Sequence, residues 1–192
     1  MERKSSESFA FEPLGCLRVS NMKNPAILLL NGSSGVGKTT IATLLNKMQG
    51  VDWIHPDALW DPNMDQGEAT FKAIKLAVDE HQDVEIVVID KQFRHQFMLD
   101  AFTEYGVTVG NQILLYCNSS DRRHRLLARG CTDDVIETMD NWAQWLYEDS
   151  KTAGNVTIDT STNGINEVVD IICSYLSTWM WQFGGSTKPK MV

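Results

Sequence analysis

The segment Gly32-Ser33-Ser34-Gly35-Val36-Gly37-Lys38-Thr39 constrains this chain more than any other stretch. It fits the pattern G-x-x-x-x-G-K-[ST] and lies between two segments of different periodicity. Before it, Ala26–Asn31 is a short continuous apolar run, suited to a strand buried on both faces. After it, Ile41, Leu44, Leu45 and Met48 recur at helical spacing and make one apolar face. Glycines let such a loop fold back so that several N–H groups converge on one anion. The start of the following helix adds its positive end. Gly32 to Thr40 are therefore expected to hold nucleotide phosphates, with Lys38 reaching the β- and γ-phosphates and Thr39 ligating Mg²⁺.

The rest of the chain repeats the strand–helix alternation. Strands are expected at Val51–His55, Val84–Ile89, Gln112–Cys117 and Asn155–Asp159. Helical stripes fall between them: Phe71, Ile74 and Val78; Phe93 to Glu104; Asp121 to Arg129; Val135, Met139, Trp142 and Leu146. A last stripe runs from Ile165 through Leu176 to Trp179. Five strands alternating with helices predict an α/β fold, a parallel sheet covered on both faces. The expected organisation is a peripheral segment at 1–24, one domain at 25–183 and a loose tail at 184–192 rich in Gly, Ser and Lys-Pro-Lys. No internal repeat is visible.

Composition narrows the function classes. With 192 residues the chain can bury a core without staples. Its cysteines, Cys16, Cys117, Cys131 and Cys173, are scattered, which reads as a reduced cytoplasmic protein, not a disulfide framework or zinc site. A net charge of −8 argues against general nucleic-acid binding and against docking on anionic membranes. No apolar run approaches the length of a membrane span.

In an open parallel sheet, ligands gather at the carboxyl ends of the strands. Asp90 closes the third strand and is expected to hold Mg²⁺ together with Thr39. Asp57 follows the second strand, where a carboxylate can orient an acceptor hydroxyl and take its proton. Trp60 and Arg94 are placed on the acceptor side, and Trp53 is expected to pack in the core. Arg122, Arg123, Arg125 and Arg129 crowd one short stretch after the fourth strand. Arg122 is assigned to the nucleotide, Arg125 and Arg129 to the transferring phosphoryl group. The bland alternative for that stretch is a solvated helix face. Asn118-Ser119-Ser120-Asp121 has Ser where a guanine-reading N-K-x-D motif needs Lys, so a GTPase is disfavoured. The acid-rich helix Asp133–Asp149, six acids and no base, suits a neutral or cationic acceptor if it faces the site.

Together, Gly32–Thr39, Asp57, Val87–Asp90, Arg125–Gly130 and Val156–Ser161 resemble the P-loop small-molecule kinases over roughly Ala26 to Leu176. The Leu30–Ser34 start and the Pro56-Asp57-Ala58-Leu59 turn look closest to chloramphenicol phosphotransferase-like proteins, with zeta-toxin-like and gluconate kinases more distant. The resemblance implies strand order 2-3-1-4-5, ATP as donor, Asp57 as base and an Arg-rich lid after the fourth strand. The chain departs from the chloramphenicol type at Ala58, where a Ser is usual, and at Lys91 and Gln92, where that group continues acidic. The expected activity is ATP- and Mg²⁺-dependent phosphotransfer to a hydroxyl of a small molecule (antibiotic-, sugar- or nucleoside-like) by a monomer or homodimer. The alternative is a nucleotide-dependent switch with no small-molecule acceptor.

Overall fold

The computed structural model describes residues 24–56 and 64–182. Its elements in chain order are β1 (Ala26–Asn31), α1 (Lys38–Leu45), β2 (Val51–Ile54), α2 (Gln66–Glu80), β3 (Ile86–Asp90), α3 (His95–Glu104), β4 (Gly110–Tyr116), α4 (Ser119–Leu127), α5 (Asp133–Thr152), β5 (Val156–Asp159) and α6 (Ile165–Gln182). The strands form one sheet of order β2-β3-β1-β4-β5, every pair parallel. Fold class and strand order are those expected. Asp57 and Trp60 lie outside the described residues, as do 1–23 and 183–192.

β1 is buried along its whole length, and the alternation of its side chains splits the core in two. Leu28 and Leu30 join Ile41 and Leu45 of α1 and Val168, Ile172 and Leu176 of α6 on one face. Ile27 and Leu29 join Ala73 and Ile74 of α2 and Met98 and Phe102 of α3 on the other, with the fully buried Phe93 among them. Burying a ring such as Phe93 contributes about 2–3 kcal/mol. These two apolar layers hold the sheet between them. Among the described residues, no helix is long and apolar enough to cross a membrane.

Strand edges and the ends of α3 and α4 moved by one or two residues from expectation, for local reasons, while α1 stops at Leu45, short of Met48, and α5 continues to Thr152. Asp90 belongs to β3 because its backbone keeps register opposite Leu30. α4 begins at Ser119, not Asp121, because the Asn118 carboxamide accepts the Asp121 N–H at 2.8 Å and caps the helix. The Asn118 Nδ2 also donates to Asp121 Oδ2 at 2.9 Å. Both side chains of the would-be guanine motif are thus spent on that helix end.

Candidate active site

The loop after β1 is held from both sides. Asn31, fully buried, accepts the Gly32 N–H at 2.8 Å and the Phe93 N–H at 2.9 Å, and donates to the Phe93 carbonyl at 2.8 Å. One side chain therefore ties the start of the loop to the segment after β3. Gly32 has φ +143°, and a Cβ there would sit 2.4 Å from the Leu115 carbonyl oxygen of β4. Only glycine fits this crossing. Lys38 folds back over the loop, its Nζ donating to the carbonyls of Gly32 at 2.8 Å and Ser33 at 3.0 Å. Gly37 precedes α1 without any side-chain cap, and the first helical bond is from Ile41 N–H to the Gly37 carbonyl. The N–H groups of Lys38, Thr39 and Thr40 have no intrahelical acceptor, the usual state of a first turn.

Asp90 is the polar centre of the site and is 2% exposed. Its Oδ2 accepts the Thr39 hydroxyl at 2.8 Å. Its Oδ1 accepts the Trp53 indole N–H at 2.8 Å and lies 2.8 Å from His55 Nδ1. A carboxylate only accepts, so His55 carries its proton on Nδ1 here. Donors from α1 and β2 thus fix the carboxylate's orientation. Among the described residues no three His, Cys, Asp or Glu side chains cluster as a self-sufficient metal cage. A hydroxyl and one carboxylate beside a phosphate loop do fit Mg²⁺, which takes one or two carboxylates and completes its shell with phosphates and water.

Two adjoining cavities flank the loop, and the first opens on this centre. The first, about 450 Å³, is lined by Gly37–Thr40, His55, Gln66, Asp90, Lys91 and Gln92 among others. The second, about 480 Å³, lies between the loop, α4 and the start of α6, with Val36, Ile41, His124, Thr160 and Asn163 in its wall. Gly35, Gly37, Thr40 and Arg129 line both. The shared wall makes the pair one elongated trough, phosphate loop at its middle.

The four lid arginines part company here. Arg129 is exposed and faces both cavities. Arg125 donates to the Gly35 carbonyl at 3.2 Å, to Thr160 Oγ1 at 3.1 Å and to the Thr160 carbonyl at 2.8 Å, so it clamps the loop to the turn after β5. Arg122, expected at the nucleotide, is 3% exposed and pairs with Asp140 of α5 while donating to the Cys117 carbonyl at 2.6 Å. It shares the buried face of α4 with Leu126, one turn on. Arg123 pairs with Asp133 at 2.6 Å on the surface. The acids of α5 are engaged likewise: Asp140 also accepts the Ser119 hydroxyl at 2.8 Å, and Asp149 accepts the His95 N–H at 3.1 Å. Through Asp133, Asp140 and Asp149, α5 anchors α4 and the start of α3.

Sequence reasoning missed Trp53 and His55 as supports of Asp90. Their signal was present: Trp53 on β2 and His55 one residue past its end are two apart in extended chain, the spacing that puts side chains on one side. Gln66 falls in the stretch Asp61–Gly67 expected to build part of the acceptor pocket, and Thr160 in Val156–Ser161, but the sequence assigned neither of them an individual contact.

The family described as AAA domain matches residues 28–145, more than half of the chain. Solved structures with the same fold include a gluconokinase from Sinorhizobium meliloti 1021, with a TM-score of 0.64 at 16% identity over 85% of this chain and 97% of that one. The tunicamycin resistance protein of Deinococcus radiodurans gives 0.58 at 21% identity, covering 80% and 96%. The APS kinase of Mycobacterium tuberculosis, solved with AMPPNP and APS, gives 0.54 at 13% identity, covering 80% and 98%. No curated protein matches the chain.

Proposed function

The chain belongs to the AAA domain family, and from that premise we propose that it transfers the γ-phosphoryl group of ATP to a hydroxyl of a small molecule. The observation that carries this reading is the meeting of Thr39 and Asp90, 2.8 Å apart, in the cavity that Lys38 also lines. A buried carboxylate and a hydroxyl at the mouth of a phosphate loop suit a metal–nucleotide, whereas phosphate binding alone needs neither. Thr39 Oγ1 and Asp90 Oδ2 are the atoms that would hold Mg²⁺, which when bound neutralises charge on the β- and γ-oxygens.

The chain's own groups then divide the work. The loop amides and Lys38 hold the phosphates and stabilise charge that develops on the γ-phosphoryl oxygens. Arg129, which lines both cavities, adds a guanidinium where nucleotide and transferring group meet. Arg125 acts as a clamp, keeping Gly35 and Thr160 at a fixed spacing. Asp57 follows His55 and the buried Pro56 at the end of β2, and His55 lines the first cavity; this neighbourhood supports Asp57 as the acceptor's base. An acceptor oxygen bonds to the γ-phosphorus, and the bond to the β–γ bridging oxygen breaks. The electron pair leaves on ADP and the hydroxyl proton passes to Asp57. The turn Pro56-Asp57-Ala58-Leu59, with its resemblance to chloramphenicol phosphotransferase-like proteins, favours an alcohol acceptor. The gluconokinase and APS kinase likenesses point the same way.

The test is ADP release over a panel of sugars, nucleosides and antibiotics. Acceptor-stimulated release is the expected result; release that ignores every acceptor would favour a switch NTPase. Asp57→Asn is expected to lower kcat by about a thousandfold with ATP affinity held. Turnover at the wild-type rate in that variant removes Asp57 from the base role.

A further inference from the structure

Gln66 and Gln92 line the first cavity, and a cluster of one cation and several aromatic rings lies close to both in the chain. Arg94 lies two residues past Gln92, so its Cα is within about 8 Å of that of Gln92. Its Cζ sits over the Trp145 ring at 5.2 Å and over the Phe97 ring at 5.7 Å. Trp145 stacks on Trp142 with ring centroids 4.9 Å apart and 12° between planes. Phe97 packs beside Gly67, the neighbour of Gln66, whose Cβ position would lie 3.6 Å from the ring. The bond from His95 N–H to Asp149 pins the start of α3 to α5, so the shelf is braced on both sides.

Three things distinguish this arginine. It is exposed, and in a chain of net charge −8 it has no ion-pair partner among the described residues. The nearby acids of α5 are turned elsewhere: Asp140 to Arg122, Asp149 to the α3 backbone, Glu148 to Gln144. Rings engage a guanidinium by its face, which leaves the N–H edge to donate. A planar fork of donors with no ion-pair partner among the described residues is matched by two oxygens of one oxyanion.

We propose that Arg94 is the acceptor-reading residue and that the acceptor carries, besides its reacting hydroxyl, an oxyanionic group received by the Arg94 fork. This deepens the kinase reading and rests on it. It also reverses the expectation of a neutral or cationic acceptor, which depended on α5 offering its acids to the site. Phe97, Trp142 and Trp145 are positioning residues that set the plane of the guanidinium.

The experiment uses matched triplets of acceptors: glycerol, glycerate and glycerol 3-phosphate; glucitol, gluconate and glucitol 6-phosphate. ADP release is measured with ATP and Mg²⁺ for the wild type, Arg94→Gln and Arg94→Lys. An anionic member should exceed its neutral partner in kcat/KM by about tenfold or more. Arg94→Gln should erase that preference through KM, Arg94→Lys should restore part of it, and affinity for an ATP analogue should hold. Carboxylate or phosphate preference within a triplet names the group. Neutral members turning over as well as anionic ones, or a preference that survives Arg94→Gln, overturns the assignment while the kinase reading stands. Stimulation only by uncharged members of the wider panel of sugars, nucleosides and antibiotics also overturns the assignment. No stimulation across that whole panel, with ATP bound, removes the kinase reading and this proposal with it.

Discussion

The two ends of the trough are built by different means. At the nucleotide end, the binding surface is mostly backbone: Gly32, Gly35 and Gly37 at positive φ, and the open first turn of α1. Side chains there are tied down, Lys38 on the loop carbonyls, Arg125 on Gly35 and Thr160, Asn31 on Phe93. Toward the other end the wall is side chains, Gln66 from α2 and Gln92 after β3, with Arg94 two residues on, held over the rings of Phe97 and Trp145. On the proposed reading, a contiguous loop would do what any phosphoryl transfer needs, and residues brought from separate elements would select its acceptor. That division lets one fold change acceptors without disturbing its handling of nucleotide.

Substitutions at the nucleotide end can break this contrast. Lys38→Met should have the largest effect, a loss in kcat/KM of about a thousandfold or more. Its KM for the acceptor should stay near wild type, the mirror image of Arg94→Gln; steady-state kinetics in both substrates checks it. A joint collapse of both would mean that the two ends are one unit. Gly32→Ala comes next and acts on folding: a Cβ 2.4 Å from the Leu115 carbonyl, at φ +143°, has no room. A destabilisation of about 3 kcal/mol is expected in urea unfolding. An unchanged midpoint would show that β1 and β4 can part at no cost. Trp53→Phe should be mildest. It removes one of the donors to Asp90 and leaves His55 and Thr39. A net hydrogen bond is worth about 1 kcal/mol, so the Mg²⁺ concentration for half-maximal ADP release should rise about fivefold.

The fold was legible because its signals are local. A strand buried on both faces must be a continuous apolar run, and Ala26–Asn31 is one. The phosphate loop was legible for the same reason: its glycines, Lys38 and Thr39 are adjacent, and their geometry follows from φ angles and a helix start. Asp90 could be placed because a strand's end is readable, but its donors could not. Trp53 reads as one more apolar residue until β2 lies beside β3 and its indole meets Oδ1. The arginines were the least readable. Arg122, Arg125 and Arg129 look alike in one dimension, yet one is a buried ion pair, one a clamp and one faces the cavities.

By itself, then, the sequence determined a parallel α/β sheet with a phosphate-gripping loop after its first strand, and it put a carboxylate at the end of the third. Those are properties of short segments, set by burial periodicity and backbone conformation. Only the tertiary structure decided which cations are free to meet a ligand. A guanidinium is neutralised or left available by whichever carboxylate packs against it. For Arg122 and Arg94 that answer came from α5, whose Asp140 closed one and whose Trp145 shelves the other.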